Sequence, residues 1–495
     1  MLAAVLAGVA AVLVLSVVVG MVRPRRYATV EQFYLAARAV PPLRNGAAIS
    51  SEYTSAAACL GLAGLIATHG SQMLWYPVGA AAGFVVLLAL VVAPLRRSGT
   101  YTLSDFAQWR FGSSGLRRLT TCTVLVIGLV YLVAQFHAAG VVLRLLTGLP
   151  AWGGWLAVAV PAVGIALAGG MRSVTRVQAT QFWLKLVVFT GCALVLWCTW
   201  RCLAAPEPLR VAGFAGPYEG AGTLAGAGDP SLPGILTVLL ACALGTMGLP
   251  HIVVRVYANP DGRSARRSIV AAQVLLGVFF LVPPLYGILG RVHVPDAHSD
   301  EVVLLLPSMM LPGAAGNVLT GLLAAGAFAA FLATSCGVLV AVGGAVSSCV
   351  SRVSVTSFRV AVAVVAVAAL GMAALTSPGS SVLLVLVGFS LSAATFCPLL
   401  VLGIWWRRLT AAGVVAGFVV GGGLTLTLVY ADLVGLKAGL AAAYPAAFSV
   451  PAAFVAMVVT SLVTRGRVPG NVDALMARMH WPEDRSSRQD ARSSF

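Results

Sequence analysis

The chain has 495 residues, of which 59% are hydrophobic and 9% charged, with a mean hydropathy of +0.95. Such proportions exclude an ordinary soluble domain and predict an all-α integral membrane protein, because apolar runs able to cross a bilayer of roughly 30 Å recur from end to end. The formal charge of +17 does not indicate nucleic-acid binding, since the cations lie in the gaps between apolar runs rather than along one face.

Thirteen spans are predicted, at about 3–22, 46–69, 73–95, 119–147, 152–169, 176–201, 233–256, 267–290, 318–348, 357–376, 380–404, 411–431 and 447–464. The first lacks the basic start and small-residue cleavage site of a signal peptide and is followed by MVRPRR, so it reads as a retained helix with its N-terminus outside. Gaps 23–45 and 96–118 carry five Arg each, and 255–267 holds Arg255, Arg263, Arg266 and Arg267, whereas 202–232 and 291–317 are acidic on balance. This alternation predicts a multi-pass protein of the cell membrane with a cytoplasmic C-terminus. The tail contains one short amphipathic helix ending before Pro482, then a partly disordered Ser/Arg/Asp stretch with no catalytic apparatus. The nine cysteines are scattered and show no paired spacing, so neither a disulfide framework nor a metal site is expected.

Spans two and seven stand apart. NGAAISSEYTSAAACLG is rich in small and hydroxyl residues and carries Glu52, while ILTVLLACALGTMGLPHIVVRVYANP has Gly245, Thr246, Gly248 and Pro250 in mid-course. Both helices are expected to be interrupted, which at membrane depth is tolerated only against protein or a wet cavity. They lie five spans apart, an odd number, so two five-helix units beginning there have opposite orientations. The predicted organisation is a first helix and inner loop (1–45), a five-helix repeat (46–201), an outer loop (202–232), a second inverted repeat (233–404), two additional helices (405–464) and a tail (465–495).

A charge near mid-membrane costs about 2.5–3.5 kcal/mol on insertion scales, which makes Glu52 the leading functional candidate. Thr54 and Ser55, at the interruption, and Thr246, the Gly248 backbone and His251 are candidate substrate contacts, because broken-helix amides and hydroxyls suit a small carboxylate. Arg255 reads as an interfacial anchor. Gln178 and Gln181 line span six, where Lys185 either pairs with Glu52 or snorkels inward; the sequence leaves both open. No nucleophile–base pair or phosphate loop appears, and GGG at 421–423 reads as helix packing, so an enzyme is not expected.

EQFYLAARAVPPLRNGAAISSEYTSAAACLG, YTLSDFAQWRF, GGMRSVTRVQATQF and GTMGLPHIVVRVYANPDGRSARRS resemble the sodium:solute symporter family, most of all its acetate (monocarboxylate) permease branch. The resemblance implies a LeuT-type 5+5 inverted repeat with additional outer helices. It also implies a sodium ion held by the backbone carbonyls of Ser50 and Tyr53 together with two small hydroxyls on span nine. Those hydroxyl positions fall at Ala329 and Ala330, which offer no side-chain oxygen; Thr334 and Ser335, about a turn further on, are further candidate ligands of the coupling ion, and Gln178 falls where relatives keep polar residues near the inner cation exit. The expectation is therefore a symporter of a small monocarboxylate such as acetate, pyruvate or propionate, coupled to H+ in preference to Na+, with Glu52 carrying the proton. No cofactor is expected, and the partners are the carboxylate substrate and the lipid bilayer. Rival readings are a sodium-coupled symporter of another solute such as proline, and a transporter-shaped solute sensor.

Overall fold

A computed structural model describes residues 1–22, 30–203, 232–349, 354–377, 381–433 and 445–481. Nearly all of the expected outer loop 202–232, and the tail from Pro482 onward, lie outside the described residues. Among the described residues every regular element is helical.

Eleven helices among the described residues are long and apolar enough to cross a membrane, against thirteen spans expected. Two of the eleven explain the difference. Ala57–Ser98 and Ala151–Cys202 have 42 and 52 residues, and at 1.5 Å per residue each is at least about twice the roughly 30 Å one crossing needs. The first turns at Gly70 (φ 80°) and the second at Gly170 (φ 52°), left-handed conformations that glycine adopts without strain. Divided there, the eleven become thirteen crossing segments.

The helices that position the site are α1 (Leu2–Met21), α2 (Pro42–Tyr53), α3 (Leu62–His69), α4 (Trp75–Val86), α5 (Ser114–Thr147), α6 (Ala151–Leu203), α7 (Leu232–Gly248), α8 (Pro250–Tyr257), α9 (Gly262–Phe279), α10 (Ala314–Cys349) and α11 (Ser381–Trp405). Span two breaks between α2 and α3. Thr54 leaves the helical region (φ −76°, ψ 67°), and the chain resumes through a wide turn at Ala57–Gly61. The hydroxyls here bond their own backbone, Ser50 Oγ to Gly46 O at 2.9 Å and Thr54 Oγ1 to Ser50 O at 2.9 Å, which competes with continuation of the helix. Span seven breaks at Leu249 (φ −59°, ψ 117°), because Pro250 has no N–H and disfavours a helical residue before it, yet suits the first position of α8.

The helices pack in exchanged pairs. α2 lies on α9 while α7 lies on α4; α2 lies on α6 while α7 lies on α11; α10 lies on α6 while α5 lies on α11. Each contact made by one unit is repeated with the two units swapped, as an inverted repeat requires. At the centre stands α10, the most apolar window of which is entirely buried. Its run of Gly and Ala lets neighbouring backbones come close without a hydrophobic driving force between helices in lipid.

Candidate functional site

The break in span two is where buried charge collects. Glu52 is 1% exposed, and its Oε2 accepts from Arg255 Nε at 3.0 Å and from Gln178 Nε2 at 3.3 Å. Arg255, itself 1% exposed, also donates to Thr175 Oγ1 (2.7 Å), Met171 Sδ (3.0 Å) and Gln178 Oε1. Arg255 is thus the counter-ion of Glu52 and no interfacial anchor. Its position near the end of span seven does not show this, because the span is broken at Leu249 and Arg255 is buried against Glu52 of α2 and Thr175 of α6.

Lys185 neither pairs with Glu52 nor reaches the surface. Its Nζ donates to Ser51 O (2.6 Å), Thr54 O (3.0 Å) and Thr54 Oγ1 (2.7 Å). Met171, Thr175, Gln178 and Lys185 recur at three, four and seven residues along α6, so one helical stripe delivers all four to the break.

Helix α10 closes the other side. Thr334 Oγ1 donates to Glu52 O at 2.9 Å, and Gln178 Nε2 donates to Ala333 O at 2.7 Å. A Cβ at Gly337 would run into the Glu52 carboxylate. It is thus Thr334 that meets the break; Ala329 packs instead with Val12, Ala325 and Leu184 toward α1, and Ala330 is wholly buried in the core. Ser335 is buried with its hydroxyl unpartnered among the described residues.

The carbonyls freed at the end of a helix need donors, and here each can be traced. Ser50 O accepts from Thr54 N at 2.9 Å and Tyr53 O from Ser55 N at 2.9 Å, so the two carbonyls that the family resemblance assigns to sodium are engaged by the chain itself. Glu52 O is met by Thr334, and Ser51 O and Thr54 O by Lys185. Ser55 is buried, its carbonyl accepting from Cys59 N at 2.9 Å.

The span-seven candidates surround an aromatic cluster. Thr246 Oγ1 and Tyr53 OH share a hydrogen bond of 2.8 Å, and the Tyr53 ring meets those of Phe84, Phe280 and Phe389 edge-on. His251 is buried with its ring 4.7 Å from that of Tyr131. Gly248 is a packing position, where a Cβ would meet Ser392 Oγ at 2.8 Å and Phe396 Cβ at 2.9 Å. Two residues of α5 complete this region and were not singled out from sequence. Gln135 Oε1 accepts from Ala56 N at 3.0 Å, at the start of the resumed helix. Its Nε2 and the Tyr131 hydroxyl, one turn apart on α5, are buried with no partner among the described residues. The spacing in YLVAQFHAAG was the available signal, obscured by its apolar surroundings.

A cavity of about 260 Å³ lined by Arg44, Arg172, Arg176 and Thr175 opens beside the site. Thr175 therefore joins that cavity to the Arg255–Glu52 pair. Among the described residues no cluster of His, Cys, Asp or Glu could hold a metal ion.

Two interrupted helices packed in exchanged pairs around a buried charged break define a membrane transporter of the inverted-repeat class, and comparison with known proteins agrees. The solved structure of a Na+-coupled sialic acid symporter, outward-open and substrate-bound, matches with a TM-score of 0.72 at 15% identity, over 93% of this chain and 98% of that one. Mhp1, a nucleobase-cation-symport-1 family transporter in a closed conformation with bromovinylhydantoin bound, matches with a TM-score of 0.59 at 14% identity, over 90% of this chain and 98% of that one. At these identities the likeness shows the fold, which is the LeuT-type repeat. The model of the sodium:solute symporter family matches residues 33–421, and the chain belongs to that family. An uncharacterized symporter of Bacillus subtilis (strain 168), YwcA, is 28% identical over 434 residues, 83% of each chain. The protein is a multi-pass secondary symporter and not an enzyme.

Proposed function

We propose that the protein imports a small monocarboxylate of the acetate, pyruvate or propionate class across the cell membrane by alternating access, coupled to protons in preference to sodium. The observation that carries this reading is the charge count at the break: one carboxylate, Glu52, is buried with two cations, Arg255 and Lys185. Buried charge is costly unless compensated, so the excess cation at the break favours a substrate with a single negative charge, and a proton on Glu52 bound together with that substrate leaves the net charge of the break as it is when empty. Tyr131 O–H and Gln135 N–H have no partner among the described residues and are donors of the kind a carboxylate accepts from, and the packed rings around Thr246 favour a short apolar tail over a large solute.

Proton coupling is supported by the chemistry of the break. A hard cation needs oxygen ligands, whereas Ala329 and Ala330 supply none and every carbonyl from Ser50 to Thr54 already has a donor. Glu52 Oε1 has no partner among the described residues and is the atom to which a proton would be added, while Oε2 stays with Arg255 and Gln178. The alternation of Arg-rich and acidic loops supports an outside N-terminus and a cytoplasmic C-terminus.

Glu52→Gln tests this in proteoliposomes. The amide keeps an acceptor for Arg255 but carries no exchangeable carboxyl proton, so uphill accumulation of labelled acetate under a proton gradient should vanish while acetate exchange persists. Unaltered uphill uptake in that variant would remove Glu52 from the coupling step. The competing reading, a sodium-coupled symporter of another solute, is favoured by the likeness to the Na+-coupled sialic acid symporter and predicts no acetate exchange in either protein.

A further inference from the structure

Lys185 is fully buried and spends all three of its hydrogen bonds on one small patch of another helix. Two of its acceptors are backbone carbonyls at the C-terminal end of α2 and the third is a hydroxyl, Thr54 Oγ1. Unwound carbonyls at a half-helix C-terminus, where the helix dipole is negative, form the kind of ligand set that holds a monovalent metal ion in transporters of this construction. Here a side-chain ammonium sits on it. The titratable groups that face Lys185 are the Glu52 carboxylate on α2 and the Cys59 thiol beyond the break.

We infer that Lys185 determines the choice of coupling ion: its ammonium is a built-in cation that occupies the break permanently and so excludes sodium. The inference deepens the proton-coupled reading and rests on it. It goes beyond a lysine that merely caps a helix, because it requires that the oxygens gathered around Nζ accept a metal ion once the ammonium is gone. Ser51, whose carbonyl is one of the acceptors of Nζ, also has a buried hydroxyl with no partner among the described residues. Arg255 cannot substitute for the missing cation, being held by Glu52, Thr175 and Gln178.

The test compares Lys185→Ala and Lys185→Ser, which vacate the ammonium position, with Lys185→Met, which fills it with an apolar chain, and Lys185→Arg, which keeps the charge. Thermal unfolding of each purified protein in lipid nanodiscs is followed with sodium chloride, potassium chloride or choline chloride, a readout that needs no knowledge of the substrate. A ligand bound only by the folded state raises stability with its concentration. Sodium should therefore raise the melting temperature of the Ala and Ser variants and leave the native protein, Met and Arg forms unmoved. Acetate exchange by the Ala variant should be roughly tenfold faster in sodium than in choline, as expected when an ion completes the competent state. A folded Ala or Ser variant indifferent to sodium would overturn the inference and leave Lys185 a structural cap. Failure of both to fold in sodium while Arg folds would also overturn it, since the ion then does not replace the ammonium. Sodium stimulation of the native protein would instead strike the proton-coupled reading itself.

Discussion

Arg255→Met is expected to destabilise the protein by about 3–5 kcal/mol and to abolish transport, because removing one partner of a buried ion pair strands the other. Glu52 would keep only the 3.3 Å bond from Gln178, with its second oxygen already unpartnered among the described residues. The pair is asymmetric in this respect. Arg255 holds Thr175, Met171 and Gln178 as well as Glu52, so the guanidinium tolerates a neutral amide at position 52 better than the carboxylate tolerates a thioether at 255. Thermal unfolding in detergent or nanodiscs checks the prediction, and the Glu52→Gln/Arg255→Met double variant separates its causes. Replacing a buried ion pair with neutral groups is often close to neutral in stability, so the double variant should recover most of the loss without recovering accumulation. A single Arg255→Met variant as stable as the native protein would show that the guanidinium does not compensate Glu52.

Gly337→Ala should be nearly as damaging despite adding one methyl group. Its Cβ would be driven into the Glu52 carboxylate, which cannot step aside while Arg255 and Gln178 hold it. Overpacking a filled core typically costs about 1–3 kcal/mol, and the displaced carboxylate should lower proton-driven uptake by far more than the fold suffers. Gly344→Ala on the same helix is the control, since its Cβ would find only ordinary contacts, Thr102 Cγ2 and the Tyr34 ring at 3.8 Å. Equal activity of the two alanine variants in an uptake assay would mean that α10 does not press on Glu52.

Both predictions depend on residues that the sequence made legible to different degrees. The two broken helices could be read directly: SSEYTS offers hydroxyls that bond their own backbone, and GLPH contains a proline that cannot continue a helix. Glu52 announced itself by being a carboxylate in an apolar span. The partner of Glu52 did not, because Arg255 lies 203 residues away and near the end of its own span, where a cation ordinarily meets the interface. The contacts of Arg255 with Glu52 on α2 and Thr175 on α6, invisible to hydropathy, decide the matter. Lys185 was ambiguous for a similar reason, since nothing local says which carbonyls a long side chain will reach.

The register of α10 was the least legible part. Its sequence is a nearly unbroken succession of small residues, buried on every side, so no polar face fixes which positions look toward the break. Family resemblance points to Ala329 and Ala330, with Thr334 and Ser335 as further candidates a turn on; the structure brings Thr334, together with Gly337, to Glu52. The hydroxyl of Thr334 is committed to the Glu52 carbonyl.

The most direct measurement is uptake of labelled acetate by the purified native protein in proteoliposomes, with an inward proton gradient and an inward sodium gradient imposed in separate experiments. Proton-coupled monocarboxylate symport predicts accumulation above equilibrium with the proton gradient alone and none with sodium alone. Accumulation driven only by sodium would contradict the assignment of the coupling ion, and absence of uptake or exchange for acetate, propionate and pyruvate alike would contradict the substrate class.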